Sequence, residues 1–242
     1  MQKGHDKKYW EQIGNSYTAF WKSKAKQELS KKELGFINKN LEKTKSRYIL
    51  DIGVGSGRII ENYLAGSKVK GIWGIDWAGS MVSFCRNKFK NNKRVQKIAV
   101  CNISKERLPY ERKFDFISAI RVLKYNKNWK EIVGRIIGGL DDNGIFVFTM
   151  PNKNSFLRFT KPETSIYSTT KKGLEKVIQE QSGEVIQITS FMKLPDVLYD
   201  ISDKKLYVST LLWFEQILKI ILRDTLLSRI FFVAAKKRIA RI

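Results

Sequence analysis

Ile49-Leu50-Asp51-Ile52-Gly53-Val54-Gly55-Ser56-Gly57-Arg58 is the stretch whose reading decides the fold. A short apolar run enters a turn with glycine at alternate positions, and a helical segment over 58–64 follows. Glycines in such a turn let the backbone take left-handed conformations and approach a ligand closely at the carboxyl end of a strand. The spacing is G-x-G-x-G, not the G-x-G-x-x-G of dinucleotide-binding turns. Asp51 stands two residues before the first glycine. A carboxylate there is poorly placed beside a pyrophosphate and well placed to hold a cationic ligand group, directly or through water. A tight turn without a ligand is the plain alternative.

Strands and helices alternate outward from this turn. Apolar runs at 69–75, 95–100, 114–120 and 145–150 read as further strands, and their continuity suits parallel strands buried on both faces. Ser80 is expected to cap a helix through Phe89. Asn128 is expected to cap another, with Trp129, Ile132, Val133, Ile136 and Ile137 at helical spacing. Asp141-Asp142-Asn143-Gly144 reads as a turn. A helix starting at Ser168 or Thr169 and stopping at Gly183, a strand over 185–191, a broken apolar helix over 194–222 and a final strand over 230–235 complete the chain. The alternation predicts an α/β fold, a doubly wound Rossmann-like sheet. Residues 1–45 read as an N-terminal helical lid, and 46–242 as the main domain with a helical insertion over about 194–228.

Asp76 ends the second strand, about 20 residues past the glycines, where an acid accepts hydrogen bonds from both hydroxyls of a ribose. Trp77 and Met81 follow it and are placed to wall an adenine ring. The competing role for Asp76, capping the next helix, is better filled by Ser80.

Together these residues resemble the class I S-adenosylmethionine (SAM)-dependent methyltransferases. The glycine segment matches the family's first motif, and Gly74-Ile75-Asp76 with Ser80-Met81 its second. Cys101-Asn102-Ile103 followed by Leu108-Pro109-Tyr110 is similar to the third, with Asn102 where the family usually has Asp. Residues 114–123 resemble the fourth strand and 140–150 the fifth. The resemblance covers about residues 45–192. It implies seven strands in the order 3-2-1-4-5-7-6 with the last antiparallel, and SAM as cofactor. It assigns the cationic group facing Asp51 to the amino group of SAM. The expected cofactor-binding set is Asp51, Gly53, Gly55, Gly57, Arg58, Asp76, Trp77, Met81, Asn102, Ile103 and Ile120. The ending Met150-Pro151-Asn152 and the helix and strand after Ser168 resemble the branch acting on quinones, lipids and glycan precursors.

Methyl transfer from a sulfonium is an in-line displacement that positioning and water exclusion can catalyse, so few reactive side chains are required. The weak catalytic candidates are Tyr17, Lys124 and Tyr125. His5, the single histidine, lies near the N-terminus. Tyr17 and Trp21 are candidates for a lid over the cofactor, and simple packing is the commoner use of such aromatics.

Lys and Arg number 46 against 23 Asp and Glu, a formal net charge of +23. Such a field attracts RNA, anionic lipid surfaces and phosphorylated small molecules, though a lysine-rich proteome gives the same balance. The expected partner is a small or lipid-like acceptor roofed by the N-terminal aromatics and by Leu198, Tyr199, Leu206, Trp213 and Phe214, with an anionic membrane surface beside it. An RNA or protein methyltransferase is the first alternative and a non-catalytic SAM-binding protein the second. No Asn/Asp-Pro-Pro-Tyr/Phe signature follows the fourth strand, where Ile120-Arg121-Val122-Leu123 stands. A nicotinamide dehydrogenase is opposed by Asp51 and the glycine spacing. Cys85 and Cys101 show no metal or redox spacing and read as buried thiols. No metal is expected. The N-terminus has no apolar signal region, and no run approaches the ~20 apolar residues of a membrane span, so a cytoplasmic protein, peripheral to the membrane at most, is expected.

Overall fold

The computed structural model describes residues 7–13, 23–44, 47–66, 68–155, 166–222 and 224–238. Tyr17, Phe20, Trp21 and His5 lie outside them. The seven strands are β1 (Tyr48–Ile52), β2 (Gly71–Asp76), β3 (Val95–Val100), β4 (Phe114–Ala119), β5 (Leu140–Pro151), β6 (Gly183–Phe191) and β7 (Ile230–Lys237). They form one sheet in the order β3-β2-β1-β4-β5-β7-β6. β1 to β5 pair in parallel, and β7 runs antiparallel to both β5 and β6, as expected. The helices are α1 (Lys7–Ile13), α2 (Lys24–Leu41), α3 (Arg58–Ala65), α4 (Gly79–Phe89), α5 (Trp129–Gly139), α6 (Lys171–Glu180) and α7 (Lys205–Ile221).

Successive strand residues point to opposite faces, so each apolar strand feeds two cores. Leu50, Ile52, Phe146, Phe148, Phe231 and Val233 pack with α5 and α6 on one face. Ile49, Ile72, Phe116, Val147, Phe232 and Ala234 pack with α2, α3 and α4 on the other. α2, expected as part of a lid, therefore belongs to a core layer through Phe36, Ile37 and Leu41.

Four local readings are corrected. Residues 141–144 are not a turn before the fifth strand but lie within β5; the β4–β5 register shifts between Phe114 and Phe116, so the turn residues bulge out of the ladder there. Ser80 is not the cap of α4: the cap is Ala78, and Ser80 lies in the first turn. Asn128 occupies the cap of α5 without a side-chain cap bond; its amide instead donates to the Ser104 carbonyl at 2.8 Å and its oxygen accepts from the Ser104 hydroxyl at 2.9 Å. α6 is capped by Thr170, which accepts from the Gly173 amide. It ends at Glu180, and Gly183 opens β6 instead of closing the helix.

Candidate active site

The glycine turn takes the conformation its sequence predicts. Gly53, Gly55 and Gly57 have φ of +79°, +48° and +81°. The Gly53 and Val54 amides donate to the Ile75 carbonyl at 2.7 and 3.1 Å, which ties the turn to the end of β2. A Cβ at Gly53 would come within 2.3 Å of a Val122 methyl, so glycine is demanded there by both φ and space.

Beside the turn, at the carboxyl edge of the sheet, lies an open cleft. This is the edge where open α/β sheets bind their ligands. Of the expected binding residues, Gly53, Gly55, Asp76, Trp77, Met81, Asn102, Ile103 and Ile120 line it, and so does Tyr125. Gly57, Arg58, Asp51 and Lys124 do not. Gly57 instead packs against Phe89 and starts α3, while Arg58 turns away to Glu33 and Ser30.

Asp76 is partly buried, and its two oxygens accept the Gly55 and Ala78 amides, each at 3.0 Å. It therefore helps to cap α4 as well as facing the cleft. Burial raises its carboxyl above the usual range against those hydrogen bonds. Asp51 lies buried under the turn. Its Oδ1 accepts the Ser118 hydroxyl at 2.6 Å, and its Oδ2 has no hydrogen-bond partner. Burial pushes its carboxyl up to about 7. A buried, unsatisfied carboxylate oxygen is costly unless a cation or donor answers it.

Ile52, Ile75, Cys101 and Val122 also line the cleft outside the expected set, and three further unforeseen residues shape its wall. Trp10 of α1 lines the cleft, with its ring edge-on to Tyr125 at 5.4 Å. α1 is held there by Glu11, whose oxygens accept the Gly79 and Ser80 amides at 2.7 and 2.8 Å. An acid at a helix N-terminus satisfies orphan donors and meets the positive end of the dipole, and these bonds lower the Glu11 carboxyl below its usual value. Arg121 is the second. Its φ is +64°, and its amide donates to Thr149 Oγ1 at 2.7 Å. The third, Asn126, follows the short 3-10 helix Leu123–Tyr125 and donates to the Val122 carbonyl at 3.0 Å.

Behind this wall a fully buried carboxylate, Glu33 of α2, bridges two arginines. Arg58 reaches Oε2 at 2.7 Å and Arg121 reaches Oε1 at 2.9 Å. Lys124, partly buried, has its ammonium 4.8 Å from the Tyr125 ring centre. Burial, then the charges of Arg121 and Arg229, lower it to about 8. The expected roof from 194–222 is not found: no residue of that segment is among those lining the cleft. Tyr199 is buried against α2 instead, while Leu206, Trp213 and Phe214 face outward. Cys101 lines the cleft and Cys85 sits under the turn; both thiols are free, and burial raises them to about 11 and about 12. Among the described residues no group of His, Cys, Asp and Glu is arranged to hold a metal.

The cleft fits SAM on its own geometry. It offers a left-handed glycine cradle, an acid at the end of β2 and apolar side chains for a flat ring, and the orphaned carboxylate oxygen of Asp51 lies buried behind the turn. Solved structures share the fold. A SAM-dependent methyltransferase from Clostridium acetobutylicum superposes with a TM-score of 0.64 at 15% identity, over 93% of this chain and 98% of that one. One from Leishmania major gives 0.66 at 14% identity, over 95% and 81%. The N-methyltransferase NodS from Bradyrhizobium japonicum, in complex with S-adenosyl-L-homocysteine, gives 0.61 at 12% identity, over 89% of each chain. No curated protein sequence is significantly similar to the chain. A family model described as a methyltransferase domain matches residues 22–191, from α2 to the end of β6. By that match, which spans the glycine turn, Asp76 and the whole cleft floor, this chain belongs to the methyltransferase domain family, and its cofactor is SAM.

Proposed function

We propose that this enzyme transfers the methyl group of SAM to a small-molecule or lipid-like acceptor entering beside Trp10, Arg121 and Tyr125. The observation that carries this reading is the cleft itself. It is lined mainly by apolar side chains, narrowed by the Trp10–Tyr125 pair, and shaped for a compact molecule rather than a folded RNA. Asp76 holds the ribose of SAM, Gly53 and Gly55 bring the backbone against it, Trp77, Met81 and Ile103 flank the adenine, and Asp51 answers the amino group from below.

SAM supplies an electrophilic methyl group on a sulfonium. The chain orients the two reactants and excludes water, which suits an in-line displacement. Arg121, Lys124 and Arg229 lie close enough to influence one another's ionisation, with Glu33 as their acidic neighbour. An acceptor bearing a phosphate or carboxylate offsets that positive charge. Tritiated methyl transfer from SAM into a cell extract, fractionated into lipid, RNA, protein and small molecules, tests the proposal. Label is expected in the lipid or small-molecule fraction; label confined to RNA or protein overturns it.

A further inference from the structure

We propose that the outer face of α7 docks this protein on an anionic lipid surface. The helix is inverted relative to a helix on a water-facing surface. Its single acidic side chain, Glu215, points inward and is buried. There it accepts the backbone amides of Lys193 at 2.9 and 3.0 Å and of Leu194 at 2.8 Å, together with the Tyr199 hydroxyl. Val208 and Leu211 share this inner face and pack on Ala25 and Leu29 of α2.

The apolar side chains face out. Leu206 and Ile220 are each 80% exposed, Ile221 69%, Trp213 58% and Phe214 50%. Leu206, Trp213 and Ile220 are spaced seven residues apart, close to two helical turns, so they form one stripe. A soluble helix carries its polar residues on that side, and contiguous exposed apolar surface of this kind marks a docking face.

Charge selects the occupant. The remaining exposed positions of α7 are Lys205, Ser209, Thr210 and Gln216, none of them acidic. The acids just before the helix are engaged: Asp200 pairs with Lys26 at 2.7 Å, and Asp203 accepts the Lys24 amide at 2.7 Å. A chain of net charge +23 repels a second copy of itself and is drawn to an anionic surface. Aliphatic and aromatic side chains with a lysine at the edge fit the headgroup–acyl boundary. No helix among the described residues is long and apolar enough to cross a membrane, so α7 lies along the surface. The inference is independent of the acceptor.

The test is co-sedimentation of the full chain with vesicles of equal parts phosphatidylcholine and phosphatidylglycerol, and with phosphatidylcholine alone. Binding to the mixed vesicles only, weakened by salt, is expected. The variant Leu206→Ser/Trp213→Ser/Ile220→Ser, altered only at exposed positions, should keep its fold and SAM affinity while partitioning at least ~100-fold more weakly. A Trp213→Phe variant should bind but lose the fluorescence blue shift on binding. Equal binding to both vesicle types overturns the proposal, as does unchanged binding by the triple variant. So does a wild-type dimer that ignores vesicles and becomes monomeric in the triple variant, which would make this face a self-interface.

Discussion

Replacing Asp51 by Asn should make the protein without SAM more stable at pH 8 and worse at binding SAM. Asp51 is buried, its Oδ2 is unpartnered, and burial carries its carboxyl from 3.8 to about 7. Ionising it in the folded state therefore costs about 4 kcal/mol, at 1.36 kcal/mol for each pKa unit. The folded value lies above the unfolded one, so the folded state binds the extra proton between 3.8 and about 7. Stability consequently falls as pH rises through that window and is level above it. Asn is nearly isosteric and carries no charge. It keeps an acceptor for Ser118 but buries an amide donor where Oδ2 stood, a loss of about 2 kcal/mol. The net gain at pH 8 is about 2 kcal/mol, a Tm rise of roughly 4–8 °C for a chain of this size. Near pH 4 the carboxyl is already neutral when folded, and Asn should stabilise nothing. SAM responds oppositely. A cationic amino group facing Asp51 pulls its ionisation back down, so wild-type affinity should rise about fivefold from pH 6 to pH 7. The variant's affinity should be weaker and flat. Thermal melts with and without SAM and calorimetry across pH decide it. A variant less stable at pH 8 with unchanged SAM affinity refutes the reasoning, because Asp51 would then be an ordinary structural carboxylate.

Asp76→Ala should weaken SAM binding by about 2–3 kcal/mol, read by calorimetry, since it removes charge-assisted acceptors from the cleft. Glu33→Gln should cost about 3 kcal/mol of stability in denaturant unfolding, because Arg58 and Arg121 lose the buried charge that both engage. Glu11→Ala should release α1 from α4 and weaken SAM binding about fivefold. In the wild type that docking persists above the normal carboxylate range and is lost as pH falls through the lowered value of Glu11, so the two proteins should converge in acid.

Much of the sheet was legible because strands buried on both faces read as continuous apolar runs, and the cofactor side of the cleft because left-handed glycines leave few substitutes. Asp76 ends β2, and Trp77, Met81, Asn102, Ile103 and Ile120 come within a few residues of the ends of β2, β3 and β4, so strand assignment together with the family resemblance pointed to the cleft wall. The opposite wall depends on contacts between distant segments. Glu11 reaches Gly79 and Ser80, and Glu33 reaches Arg121; neither pairing leaves a local signature, because a carboxylate on a lysine-rich helix reads as a solvated charge. Asp51 reads in the sequence as a carboxylate facing a cationic ligand group, but only the packing of β1 beside β4 buries it under the turn, turns it onto Ser118 and leaves one oxygen unanswered. The apolar character of the segment that holds α7 was equally plain, yet composition cannot say which side of a helix meets the protein. Tertiary structure decided that when Glu215 entered the interior to satisfy the amides of Lys193 and Leu194, and Leu206, Trp213 and Ile220 were left facing out.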